Sequence, residues 1–315
     1  MTHRQHCKFY IASCEEDGGI YLCEYRDNEA FVIRKTPLCK PMYMTCHNGK
    51  LYVILRESFA DKSSGIISYE IVNDELKNPS DIVSTKGLVA CHLCVIEDNV
   101  YCVNYLSGNV IRLPDRVVFH SEKSIVPKRQ DMPHTHYINS FDGKYLLCCD
   151  LGTDEIYTYD KNLSELARVS VPKGHGARHL TYKDGYAFCA NELKSTVSMF
   201  EYSDGILKYM DTYDALPVGT DVESTIAAIR AKDNFVYVSN RGHDSISVFE
   251  IKDRKINLVQ CVNCGGESPR DFNIFGNLLI CANEKSDNVT FFEIRNGIPT
   301  KIKTELNIKS PLCVL

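Results

Sequence analysis

No stretch of this 315-residue chain is apolar for long enough to span a bilayer as a helix. The longest apolar runs are strand-sized, as at Leu51-Tyr52-Val53-Ile54-Leu55. Residues 1–17 hold no apolar segment of the secretory kind, so a cytoplasmic protein without membrane contact is expected. Positive charge is not in surplus: 36 Lys and Arg stand against 41 Asp and Glu, a formal net charge of −5. A local basic pocket aside, that balance argues against broad binding to nucleic acid or to an anionic surface. Nowhere do apolar residues recur at helical spacing over several turns, so neither a helix bundle nor an alternating βαβ fold is expected. What is present is an ordinary globular composition, 44% apolar and 24% charged. Its length suffices to bury roughly three quarters of the unfolded surface without covalent staples.

Cysteine stands out, with fifteen residues. Most lie inside apolar runs, as do Cys148, Cys149, Cys189 and Cys281, where a free thiol packs as a small hydrophobe. Without an export signal, a disulfide framework is not expected. Cys91/Cys94 and Cys261/Cys264 have the CxxC spacing of metal and redox sites. Each pair flanks a strand-like segment, in which thiols three apart point to opposite faces, so structural cysteines are expected there.

The chain repeats itself. Residues 178–205 and 270–297 align without a gap, each running from Arg178 or Arg270 through a strand ending in Ala-Asn-Glu to a second alternating strand and a turn. The same frame fits 228–251, 134–160, 91–113 and 42–71, and a truncated copy occupies 8–27. Equivalent strand exits fall at Cys14, Leu55, Asn104, Asp150, Asn191, Asn240 and Asn283. Their steps, about 41 to 49 residues, match a four-stranded propeller blade. Turn signals at Asn48-Gly49, Asp142-Gly143, Asp184-Gly185, Asp204-Gly205 and Asn296-Gly297 separate runs rich in Val, Ile, Tyr and Phe. A single all-β domain over 1–315, a seven-bladed β-propeller with four-stranded blades, is predicted. The first copy lacks a first strand, and Pro311–Leu315 resembles the beginning of another copy. The C-terminal strand is therefore expected to complete the first blade and close the ring.

In a blade the first strand lines the central channel and the second runs antiparallel to it, so the start of one and the exit of the other share a mouth. Strand-one starts bring Cys91-His92, His134-Thr135-His136, Arg178-His179 and Arg270-Asp271 there. Strand-two exits add Arg56-Glu57, Asn104-Tyr105, Asp150, Asn191-Glu192, Asn240-Arg241 with His243, and Asn283-Glu284. The asparagines read as turn caps that bond backbone amides. His92 and His179 share one repeat column, which suits a structural histidine as well as a functional one. Arg56, Glu57 and Glu284 read as solvated charges. Arg178, Arg241 and Arg270 each call for an anion, from the protein or from a ligand, and Glu192 is a candidate partner of Arg178. His134 and His136 have a spacing that could hold a metal, but no third ligand is in sight and no metal site is expected.

These residues carry a family resemblance. Ala177-Arg178-His179-Leu180, then Asn191-Glu192-Leu193 and Ser195-Thr196-Val197, resemble the signature of the propeller-type 6-phosphogluconolactonase family, which includes the fungal carboxy-muconate lactonizing enzymes. Residues 236–246, Pro133-His134-Thr135-His136 with Asp150–Asp154, and Ser268-Pro269-Arg270 resemble further elements in the same order. Two departures are visible: Ala177 replaces a proline, and Ala228 stands where the family often has a glutamate. The resemblance implies a lactone hydrolase of carbohydrate metabolism, of the pentose phosphate type, that opens a small anionic lactone without a cofactor. It implies catalytic roles for His136, Arg178 and Glu192, with Glu192 or His136 as general base and Arg178 orienting the acyl oxygen. Substrate-binding roles fall to His92, His134, His179, Arg241, His243 and Arg270, the two arginines holding a phosphate or carboxylate through bidentate bonds. No nucleophile elbow, phosphate-cradling glycine loop or HExxH helix is present, which disfavours an acyl-enzyme and a zinc hydrolase. Two alternatives stay open: lactonization of an unsaturated acid at the same residues, and a non-catalytic propeller that binds proteins.

Overall fold

The computed structural model describes residues 6–315. The turn chemistry read from the sequence produces hairpins. At Asn48-Gly49, Asp184-Gly185, Asp204-Gly205 and Asn296-Gly297 both residues have positive φ, the conformation that matches the twist of paired strands. Asp142-Gly143 differs, with only the glycine at positive φ, and Asp142 Oδ1 accepts the N–H groups of Lys144 (2.8 Å) and Tyr145 (3.1 Å). The hairpins build seven antiparallel sheets. Six have four strands; in blade 2 the outer strand is split into Glu75–Lys77 and Val83–Ser84, both paired with Gly65–Val72. The fold is the seven-bladed propeller, and Pro311–Val314 pairs with His6–Ser13 as the first strand of the first blade.

Two compact units divide the chain. Tyr43–Asp214 holds blades 3 to 5 and nearly all of blade 2; the residues up to Met42 together with Ala215–Leu315 hold blades 1, 6 and 7. Within the first of these, Tyr101, Val110, Ile138, Leu146 and Tyr157 pack between blades 3 and 4, and Ala187, Cys189 and Phe200 pack between blades 4 and 5. Within the second, Phe9, Tyr25, Ile280 and Phe291 fill the space between blades 7 and 1, and Ile246, Phe272, Leu279 and Phe292 that between 6 and 7. Each of the Val, Ile, Leu and Phe side chains among these contributes about 1.5–3 kcal/mol by leaving water. Because central strands are covered on both faces, the alternation at Ser245–Phe249 does not divide core from solvent. All five residues are buried, and the hydroxyls of Ser245 and Ser247 accept hydrogen bonds from Asn240 Nδ2 at 3.0 and 2.8 Å.

All fifteen cysteines are free and ten are buried. Burial pushes the Cys23 thiol up to about 12, which makes it inert. The expected opposite orientation of Cys91 and Cys94 is not found. Ala90 faces Asn104 and His92 faces Val103, so Cys91 is an extra residue, alternation breaks, and both thiols join one apolar cluster.

That bulge recurs at the start of other first strands. His136 is left over between Thr135 and Tyr137, Arg178 between Ala177 and His179, and Arg270 between Pro269 and Asp271. Blade 6 has a wider irregularity at Ala227 and Ala228, and the C-terminal strand skips Leu312. A bulge releases one residue from the ladder and re-aims its side chain. Three of the predicted site residues, His136, Arg178 and Arg270, occupy it.

Candidate active site

The second strand of blade 5, Tyr186–Asn191, runs into a single 3-10 turn at Glu192–Lys194, closed by Ser195 at φ +49°. Glu192 N–H donates to the Gly176 carbonyl (2.8 Å) and Leu193 N–H to that of His175 (2.9 Å), which ties the turn to the entry of the first strand of the same blade. Glu192 is thereby buried against Arg178. Arg178 Nε donates to Glu192 Oε2 at 2.8 Å, and Arg129 Nη2 donates to Oε1 at 2.6 Å. Arg178 is 2% and Glu192 6% exposed, so water screens their attraction little. The clasp itself sets two guanidiniums against one carboxylate and is net positive. Burial weighs against charge on Arg129, but Glu192 and then Tyr105 outweigh it and hold the guanidinium above its ordinary pKa. Burial raises the Tyr105 phenol in turn, and the charge of Glu192 adds to the effect.

Arg129 arrives on the connection between Arg116–Phe119 of blade 3 and Thr135–Asn139 of blade 4. Gln130, fully buried, pins that connection: Nε2 donates to Leu151 O (2.8 Å) and Asp154 Oδ1 (2.7 Å), and Oε1 accepts Val126 N–H (3.1 Å). Asp154 also accepts the Ser124 hydroxyl and the N–H groups of Gly174 and Gly176, each of these two at 2.6 Å. One buried carboxylate therefore fixes both the loop carrying Arg129 and the strand entry carrying Arg178.

The histidines fall into two kinds. His136 is a bulge residue, like Arg178 on the next blade. His92 and His179, with Tyr137, are the ladder residues just after the bulge. The His136 and His179 rings lie 5.2 Å apart, as do those of His179 and His92; Tyr43 and Tyr137 pack on His92 at 4.3 and 4.5 Å. His134 stacks on Tyr105 at 4.4 Å and its Nδ1–H donates to the Tyr105 carbonyl (2.9 Å), while His136 meets the same ring edge-on at 5.5 Å. Among the described residues no group of three or more His, Cys, Asp or Glu could hold a metal ion.

The asparagines are structural, but not through backbone amides as expected. Asn191, Asn240 and Asn283 donate from Nδ2 to side-chain oxygens of the third strand, and Asn104 donates to Thr85 O (3.0 Å). Only Asp150 caps backbone amides in the expected way. Arg56 and Glu284 are partly exposed and Glu57 is exposed.

In the other unit Arg241 ends the second strand of blade 6 and donates from Nη2 to Ile226 O (3.1 Å). His243 Nδ1 lies 2.8 Å from Ser245 Oγ. Arg270 is half-buried on its bulge, and among the described residues its side chain has no hydrogen-bond or ion-pair partner. Its neighbour Asp271, in the column of His92 and His179, is instead engaged by Arg230 Nη2 (2.9 Å) and the Val314 N–H (3.0 Å).

A family model described as lactonase, 7-bladed beta-propeller, matches residues 8–315. The chain belongs to this lactonase family. An uncharacterized protein of Staphylococcus aureus strain USA300 is 35% identical over 326 residues, covering 93% of this chain and 94% of its own. Among solved structures, a protein from Lactobacillus plantarum superposes with a TM-score of 0.89 at 23% identity, over 98% of this chain and 99% of that one. The periplasmic gluconolactonase of Pseudomonas aeruginosa superposes with a TM-score of 0.88 at 23% identity, over 99% of both chains. At that identity the superpositions speak to the fold.

Within this lactonase-family chain, sequence reasoning paired Glu192 with Arg178 and missed its second arginine. Arg129 lies outside the repeat frame, where no column points to it. Its one signal is the length of the inter-blade connection, since loops of this size without secondary structure commonly serve a site. Tyr43 and Tyr137 were missed as well, because aromatic residues in strands read as core, and His120, just past the strand Arg116–Phe119, lies outside the repeat frame like Arg129.

Proposed function

We propose that this chain opens a small anionic lactone, of the 6-phosphogluconolactone type, by adding water. The observation that carries this reading is the buried clasp of Glu192 between Arg178 and Arg129, with His136 on the bulge of the neighbouring blade. Ring opening needs a nucleophilic water, donors for the tetrahedral oxyanion and a proton for the departing ring oxygen. Both oxygens of Glu192 already accept charge-assisted hydrogen bonds, so the carboxylate anchors the guanidiniums, and the base is His136. His136 takes a proton from water as the oxygen adds to the carbonyl carbon. The planar fork of Arg178, oriented through Nε, donates to the acyl oxygen as negative charge develops there. When the ring C–O bond breaks, the imidazolium returns the proton to the alkoxide. Family membership and the likeness to a gluconolactonase support a sugar lactone as the substrate.

A panel of phosphorylated and unphosphorylated sugar lactones tests this. The wild type should exceed spontaneous opening, and Arg178→Ala should lose about 10²–10³-fold in kcat, the usual cost of an oxyanion donor. Glu192→Ala should lose activity in the same direction, because it strands both guanidiniums. A wild type that never exceeds background on any lactone would refute the reading.

A further inference from the structure

Blade 4 departs from its siblings inside its own core. Four strand-two exits are asparagine, at Asn104, Asn191, Asn240 and Asn283, whereas blade 4 has Asp150. In blades 5, 6 and 7 the asparagine amide donates to residues five and seven positions on: Thr196 and Ser198, Ser245 and Ser247, Asn288 and Thr290. Blade 4 has Glu155 and Tyr157 in those places, so the whole polar set is exchanged. Asp150 is fully buried, and its Oδ2 lies 2.6 Å from His120 Nδ1. His120 Nε2 meets the Tyr159 hydroxyl at 2.7 Å, and the imidazole packs on Tyr157 at 3.9 Å. The other oxygen, Oδ1, accepts the N–H groups of His134 (2.7 Å), Gly152 (2.8 Å) and Thr153 (3.3 Å). Cys148, Cys149, Glu155, Glu165 and Arg168, the last over the Tyr157 ring at 4.8 Å, are titratable or charged neighbours of this chain of groups.

A buried carboxylate is costly, and the blade fold does without one wherever asparagine stands. What blade 4 has and its siblings lack is a pair of imidazoles at the start of its first strand. Asp150 faces Thr135 in register and grips the N–H of His134, two residues before the His136 side chain that the bulge re-aims. His120 opens the connection that carries Arg129.

We propose that Asp150 and His120 are a positioning pair for His136: the carboxylate sets the strand start and the imidazole locks the carboxylate. This rests on the reading of His136 as the base. The test compares wild type with Asp150→Asn, the residue four other blades use, and with His120→Gln. Histidine-selective ¹⁵N labelling follows the His136 imidazole through a pH titration, with His243 of the other unit as control. Kinetics are run alongside on whichever lactone the wild type opens. The expected result is a shifted His136 titration with His243 unmoved, and a kcat lowered about ten- to a hundred-fold, as small misplacements cost. KM should stay within about three-fold, because binding is not what is lost. An unmoved His136 in both variants overturns the inference whether or not a lactone is turned over, and so does an equal shift of both histidines. If the wild type opens no lactone while His136 shifts alone, the positioning pair stands and the hydrolase reading falls.

Discussion

His175 sits at the entry to the first strand of blade 5, with Nδ1 at 2.9 Å from the Thr196 hydroxyl. Burial holds its pKa below the ordinary imidazole value, against the pull of Asp154. In the interval between the lowered folded value and the ordinary one, the unfolded chain binds more protons, so stability rises with pH. Protonation therefore costs stability as pH falls below about 6.5. The thermal midpoint should drop on going from neutral pH to pH 5, and by less in His175→Gln; equal drops in both proteins would remove His175 from the account. At this scale the sequence was informative where a charged residue stood in a repeat column, as Arg178, His136 and Glu192 do. It was silent on Arg129, which no column contains. It misdirected the asparagines, because a turn cap and a cross-strand amide donor use the same residue type at a strand exit.

Three elements share a device that joins one blade to the next. Asp154, Asp244 and Asp287 stand before third strands at φ +62°, +54° and +55°. Each carboxylate accepts N–H groups at the entry of the following blade: Gly174 and Gly176, Ser268, and Ser310. Asp154 has the additional partners Ser124 and Gln130. Asp154→Ala should destabilise the fold by about 3 kcal/mol, because it strands buried donors. Asp244→Ala should cost less. Denaturant unfolding of the two variants checks the order, and a negligible loss in Asp154→Ala would show that the connection carrying Arg129 is held by other means. Strand order and blade period were legible, since alternation and turn residues recur. The bulges were not, because they fall at the first residues of short strands, where one break in alternation looks like the start of the strand, and the facing of Cys91 and Cys94 was misread for that reason.

Across the whole chain, seven repeats gave the propeller and the missing first strand of the first repeat gave its completion by Pro311–Val314. Family membership follows from a match over nearly the full length. A fold of this kind hosts many chemistries, so the functional reading rests on the side chains that the blades of one unit assemble: a carboxylate held by two arginines, beside an imidazole lifted out of its ladder. The measurement that bears most directly on it is the initial rate of 6-phosphogluconolactone opening near neutral pH, corrected for spontaneous hydrolysis, for the wild type and His136→Ala side by side. The account predicts a wild-type rate well above background and a folded variant slower by about 10²–10⁴-fold, the range for losing a general base. A His136→Ala protein that turns over as fast as the wild type would contradict it.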